Sequence, residues 1–246
     1  MKKINILVAA LLFAGAAQAQ IGQVGGAAGS PIVPTTADNA ASIIQSGNFN
    51  NADQVQVGNL TGSAASRNIA QVEQVGDNNR AAQRQVHSGS GFLTQFAADD
   101  SNEAFVRQQG NNNGSDQMQD GDGNDAVTRQ SGNNNTAYSE QIGDLNSSSI
   151  SQSGNNNTAK SWQGVSGRHD SNSSIQSQAG DRNQGYVDQD SDQNWARQTQ
   201  TGNDNFANTA QGGTSNTHRG ITTESQWSDI SQSGNNNRAT VNQEHN

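Results

Sequence analysis

The chain has 246 residues, no cysteine, 4% aromatic and 14% charged residues, and a formal charge of −9. Leu, Ile, Val and Phe make up about 15% of it, which is too little for an ordinary hydrophobic core and, taken alone, is the composition of an acidic disordered chain. The acidic balance argues against nucleic acid as a partner, because phosphate binding needs a basic stripe. Without cysteine, stability cannot come from disulfides.

Residues 1–19 read as a secretory signal peptide: Lys2 and Lys3, an apolar run from Ile6 to Ala16, and Ala17-Gln18-Ala19 as a small-x-small cleavage site. The run is too short to cross a bilayer, so no membrane span is expected in the mature chain. Cleavage before Gln20 removes both lysines and takes the charge from −9 to −11. Residues 20–38, rich in Gly and Ala and holding Pro31 and Pro34, read as a flexible leader.

Residues 39–246 are built on the unit Asn-x-Ala-x-x-x-Gln. It predicts sixteen seven-residue strands, at 39–45, 50–56, 68–74, 79–85, 102–108, 113–119, 124–130, 135–141, 146–152, 157–163, 172–178, 183–189, 194–200, 205–211, 226–232 and 237–243. Only Gln226 replaces the leading Asn. Asn, Ala, the fifth position and Gln fall two residues apart, so in a strand all four point to one face. That face carries no charged residue in any strand, while Phe105, Tyr138, Trp162, Tyr186, Trp195, Phe206 and Trp227 all take the opposite parity. A disordered chain has no reason to sort its residues this way, and the sorting predicts a thin amide-lined core between two sheets.

Within successive pairs of strands the step from Gln to Gln is always eleven residues, whereas between pairs it runs from 11 to 23. Every within-pair turn also keeps a glycine, which predicts a left-handed or otherwise strained backbone there. The predicted fold is therefore all-β: a two-strand-per-coil β-solenoid of about eight stacked coils, with one uniform arc and one that accepts loops. At ~4.8 Å per coil the rod would be roughly 38 Å long. Stacking places Asn over Asn and Gln over Gln, so amide side chains can pass hydrogen bonds along the axis in place of an apolar core. The ladder residues singled out are Gln45, Asn50, Gln56, Gln74, Asn79, Gln85, Gln130, Asn135, Gln141, Gln152, Asn157, Gln163, Gln232, Asn237 and Gln243.

The unit resembles the curlin repeat, Ser-x5-Gln-x-Gly-x2-Asn-x-Ala-x3-Gln. Gln152, Gly154, Asn157, Ala159 and Gln163 occupy its places, as do Gln178, Gly180, Asn183 and Gln189 with Gly185 for Ala. The likeness spans about 39–243. It implies an amyloid-like, curli-type subunit, polymerising with copies of itself into a pilus-like extracellular fibril for biofilm matrix and cell adhesion. It also implies a nucleator curlin, an outer-membrane secretion pore and a periplasmic chaperone as partners. The chain departs from the family's familiar major subunit in having eight coils instead of five, in its long arcs, and in a leader without the family's Gly- and Asn-rich targeting pattern.

Two other roles fit the same residues. One is a minor nucleator curlin, although a last coil with Arg238 against Asp229 and Glu244 is not basic. The other is a monomeric secreted β-solenoid adhesin. No catalytic, cofactor-binding or metal site is expected: there is no nucleophile–base set or convergent carboxylate pair, and the calcium-like stretch Gly121-Asp122-Gly123-Asn124-Asp125 occurs once, inside the repeat register. His87, His169, His218 and His245 all follow second strands, where loops take non-ladder residues. The outward acids Asp116, Asp120, Asp188 and Asp190 are candidate gatekeepers against premature assembly.

Overall fold

A computed structural model describes residues 39–57, 68–86, 102–165, 170–213 and 225–245. The expected signal peptide at 1–19, the expected leader at 20–38 and most of the long arcs, with His87, His169 and His218, lie outside the described residues.

The fold is an all-β solenoid. Its strands are β1 (Asn39–Ser46), β2 (Asn51–Val57), β3 (Asn68–Val75), β4 (Arg80–Val86), β5 (Glu103–Gln109), β6 (Gly114–Asp120), β7 (Asp125–Ser131) and β8 (Thr136–Ile142). They continue as β9 (Ser147–Ser153), β10 (Thr158–Gln163), β11 (Ser173–Ala179), β12 (Gln184–Asp190), β13 (Trp195–Thr201), β14 (Phe206–Gly213), β15 (Trp227–Ser233) and β16 (Arg238–His245). Odd strands form one eight-stranded sheet and even strands the other, each in sequence order. All pairs are parallel and in register: Gln45 lies beside Gln74, and Gln141 beside Gln163. Parallel strands need a crossover, and each strand of one sheet is the crossover of the other. Six coils, from β3 to β14, have a neighbour on both sides, and the first and last have one.

Except in β1 and β3, the strands begin one residue later than the sequence suggests, because the leading Asn belongs to the arc. Its backbone N–H bonds to a side-chain oxygen of the coil below, as Asn79 N–H does to Asn50 Oδ1 at 2.9 Å. The regular backbone ladder starts only at the next residue.

Burial alternates along each strand. In β8 every second residue from Ala137 is buried, and the residues between them are partly exposed. The core so enclosed is Ala, Val and Ile interleaved with Gln, Asn, Ser and Thr. No charged side chain from a strand enters it.

The arc glycines are required twice over. Gly154 has φ 113°, in a region L side chains avoid, and a Cβ there would stand 2.1 Å from the Gly180 carbonyl oxygen of the next coil. Gly114, by contrast, has nothing within 4 Å of a Cβ. Gly154→Ala is expected to cost about 3 kcal/mol or more, because neither backbone can retreat without breaking the stack. Gly114→Ala should be neutral or stabilising by about 0.5 kcal/mol. Denaturant unfolding of the two variants checks the pair.

Candidate functional site: the amide ladders

In the interior coils each Gln that ends a strand spends its two Nε2 hydrogens in different directions. Gln141 Nε2 donates along the axis to Gln163 Oε1 at 3.0 Å, and across the core to the Asp125 carbonyl of the opposite sheet at 3.0 Å. Gln130 does the same to Gln152 and Gly114, both at 2.9 Å. Gln152 reaches Gln178 and Thr136, and Gln163 reaches Gln189 and Ser147. At the first coil Gln45 donates to Gln74 at 2.7 Å and Gln56 to Gln85 at 2.8 Å. At the last coil Gln232 and Gln243 donate to the carbonyls of Phe206 and Trp227, and they receive from Gln200 and Gln211.

The axial glutamine bonds have one polarity, with donors facing the C-terminal end of the rod and acceptors the N-terminal end. The transverse bonds have no counterpart in the repeat pattern. They join the two sheets and satisfy a carbonyl as each second strand closes on its partner.

The asparagines form the expected axial side-chain line, with polarity opposite to that of the glutamines, and add bonds to the backbone. Asn135 Oδ1 accepts the backbone N–H of Asn157 at 3.0 Å and its Nδ2 at 3.2 Å. Asn135 Nδ2 donates to the Gly154 carbonyl at 2.8 Å. Asn79 behaves likewise toward Asn113 and Gly110, Asn50 toward Asn79 and Gly76, and Asn157 toward Asn183 and Gly180. Asn237 bonds back to Asn205 and to the Ser233 carbonyl. With one methylene fewer than Gln, Asn reaches mostly backbone, so its ladder is mainly a clamp on the arcs.

Sequence reasoning missed a third amide line at the fifth strand position. Gln54 donates to Gln83 at 2.7 Å and Gln83 to Gln117 at 2.9 Å, and Gln117 ends the line on Thr128 Oγ1 at 3.1 Å. In the other sheet Gln176 donates to Gln198 at 3.2 Å, and Gln198 ends on Thr209 Oγ1. The signal was present in the sequence: Gln stands at the fifth place of the first three second strands, where the first strands have Ile43, Val72 and Val106.

Outside, unlike charges meet between coils: Arg107 with Glu73 at 3.5 Å, Arg182 with Asp204 at 2.7 Å, and Arg197 with Asp229. Tyr138, Trp162, Tyr186 and Phe206 run ring against ring at 5.8–6.5 Å, and Trp195 stacks on Trp227 at 5.2 Å. Among the described residues no group of three or more His, Cys, Asp or Glu is placed to hold a metal ion. The stretch from Gly121 to Asp125 is an ordinary arc, with Asn124 in its clamp position on the Gly143 carbonyl. No helix among the described residues is long and apolar enough to cross a membrane.

Of the four outward acids, Asp116 and Asp188 are perturbed. Partial burial, opposed by Arg80 and reinforced by Glu140, raises the pKa of Asp116. Asp188 has an exposed rim, but partial burial of its carboxyl, with Asp190 adding like charge, pushes it up from 3.8 to about 6. Between those two values the folded state holds the proton more tightly than the unfolded state. Stability should therefore fall as pH rises from 3.8 to about 6 and stay reduced above it. Asp188→Asn is expected to flatten that part of the pH–stability profile and raise stability at pH 7, as thermal melts at several pH values would read.

Removing a mid-rod amide should cost more. Gln141→Leu leaves Gln163 Oε1 without its axial donor and removes the transverse bond to the Asp125 carbonyl, while Gln119 Nε2 keeps its bonds to the Glu103 and Asn124 carbonyls. At ~1–3 kcal/mol for a buried group left unsatisfied, the expected loss is about 1–3 kcal/mol in equilibrium unfolding.

A family model described as Curlin associated repeat matches residues 121–154. No curated protein and no solved structure matches the chain. The matched segment covers β7, β8, β9 and their arcs. Residues 121–154 are thus similar to the curlin associated repeat, and the strand register of that segment runs unchanged from β1 to β16.

Proposed function

We propose that the chain is a structural, non-enzymatic subunit that joins end to end with its own copies into a curli-like extracellular amyloid fibre, supporting biofilm matrix and surface adhesion. Export would use the 1–19 signal, with an outer-membrane pore and a periplasmic chaperone, and a nucleator curlin would start growth.

One observation carries this reading: among the described residues the two ends of the rod are open and complementary. β1 and β2 at one end, and β15 and β16 at the other, each pair with a single strand. Unpaired parallel edges of this kind are what soluble proteins usually cover. Continuing the internal register past β15 and β16 sets Gln232 over Gln45, Gln243 over Gln56 and Asn237 over Asn50. Gln232 and Gln243 then meet the first coil as donors, and Gln45 and Gln56 meet them as acceptors. Ile230 lies over Ile43 and Ala239 over Ala52, so the centre of the junction is also matched. Head-to-tail addition repeats the bonds inside the rod, whereas head-to-head or tail-to-tail contact sets acceptor against acceptor or donor against donor.

Gly234 supplies the test. Inside the rod an arc Cβ strikes the next coil, but at Gly234 its nearest contact is Asn237 Nδ2 at 3.6 Å. Gly234→Ala should fold at a cost of about 1–3 kcal/mol for its φ of 101°, and should block addition of the next subunit. Substoichiometric amounts are expected to stop elongation of wild-type fibres, whose diffraction should show the cross-β spacing of ~4.7–4.8 Å. Gln45→Ala with Gln243→Ala should slow assembly while leaving the monomer folded. A wild-type chain that stays folded and monomeric for days would reject the fibre reading in favour of the monomeric adhesin.

A further inference from the structure

The third amide line stops part-way along the rod, where serines take over its places. In register with Gln54, Gln83 and Gln117 come Ser139 and then Ser161. On the facing sheet Ser148 lies beside Ser174. All four serines are buried, none more than 1% exposed, and their Oγ atoms have no hydrogen-bond partner in the protein. Gln176 Oε1, at the start of the next amide line, is also buried without a partner. These five polar atoms fall in three consecutive coils.

The serines share one channel between the sheets. Gln117 reaches from its strand to the Ala126 carbonyl on the opposite sheet, and Ala126 is in register with Ser148. The fifth position of a second strand therefore points at the third position of a first strand, and Ser161 points toward Ser148.

The channel also has room. The first coil sets Ile43 and Ala41 against Ala52 and Gln54, and the coil of β9 and β10 sets Ile150 and Ser148 against Ala159 and Ser161 in the same register. The two cores differ chiefly in that a serine stands where the first coil has a glutamine. The sheets are continuous, so they cannot close the difference locally. The missing amide arm corresponds to about one or two waters at ~30 Å³ each.

We infer that the middle coils bind a file of buried water, held by the hydroxyls of Ser139, Ser148, Ser161 and Ser174 and by Gln176 Oε1. A polar channel of this size, with several converging hydroxyls, gives each water the two to four partners it needs. Buried hydroxyls without any partner are too costly for a native core to gather in one place. The water carries the hydrogen-bonded line across the gap between the two glutamine series, so the rod has an amide core toward both ends and a hydrated one in the middle.

The test uses the folded full-length mature chain with labelled alanine methyls, and it reads the same whether the chain is monomeric or polymerised. Magnetisation transfer from water should reach the methyl of Ala159, beside the serines, and not that of Ala81, beside the glutamine line. Ser161→Ala should lower the urea midpoint, because the water loses a partner. Ser161→Gln, which recreates the first coil's core, should raise the midpoint and abolish the transfer to Ala159. If Ser161→Gln does not fold, the wild type and Ser161→Ala decide the matter. Transfer at Ala159 no greater than at Ala81, or a higher midpoint for Ser161→Ala, overturns the inference.

Discussion

The structure depends on the two hydrogens of a primary amide. In the interior coils a glutamine at the end of each strand uses one along the axis and one across the core, so each side chain ties the two sheets together and its coil to the next. An aliphatic side chain of the same reach could fill the space but would leave the facing carbonyl unsatisfied, and a hydroxyl would not reach it. That double duty explains how a chain with about 15% Leu, Ile, Val and Phe can enclose a core at all. The apolar contribution shrinks to Ala at the narrow positions and a single Val, Ile or Thr where the sheets are further filled.

Stacking in register also explains the distribution of charge. Any inward charge would sit one coil from whatever occupies the same place above it, in a dry interior where an unpaired charge is prohibitive. Inward positions are therefore neutral. Outward positions stack just as closely but face water, and there acid meets base between coils, as Glu73 does Arg107 and Asp204 does Arg182. At Asp188, partial burial, with like charge from Asp190 added to it, pushes the carboxyl's pKa up to about 6.

The arcs divide the labour differently. Gly154 and its equivalents give the backbone a positive φ and allow the next arc's carbonyl to approach, while Asn135 and its equivalents clamp that approach from the side. The residue two places after the glycine, Asn134 or Asn156, also takes a left-handed φ of 57°, which Asn tolerates better than most residues. At the corresponding places Phe49 and Leu145 adopt the same conformation without that tolerance, so the stack itself must hold them there.

Much of this was legible in the chain itself. A period of two within strands, a step of eleven between glutamines and the confinement of length variation to alternate arcs are local regularities, and they determine strands, faces and coils without reference to distant contacts. They also identify Gln45, Gln141 and Gln243 as members of the axial ladders. The transverse partners were not legible, because they are carbonyls of the opposite sheet, reached at a height set by the offset between the sheets. That offset sends the second Nε2 hydrogen of Gln141 to the Asp125 carbonyl, turns Asn135 to backbone instead of to another amide alone, and leaves the serines between the two glutamine series facing one another. Local pattern sets which residues face inward and how often the chain turns back. Which hydrogen goes to which oxygen follows from the stacked sheets, because hydrogen bonds are directional and their geometry exists only once both sheets are in place.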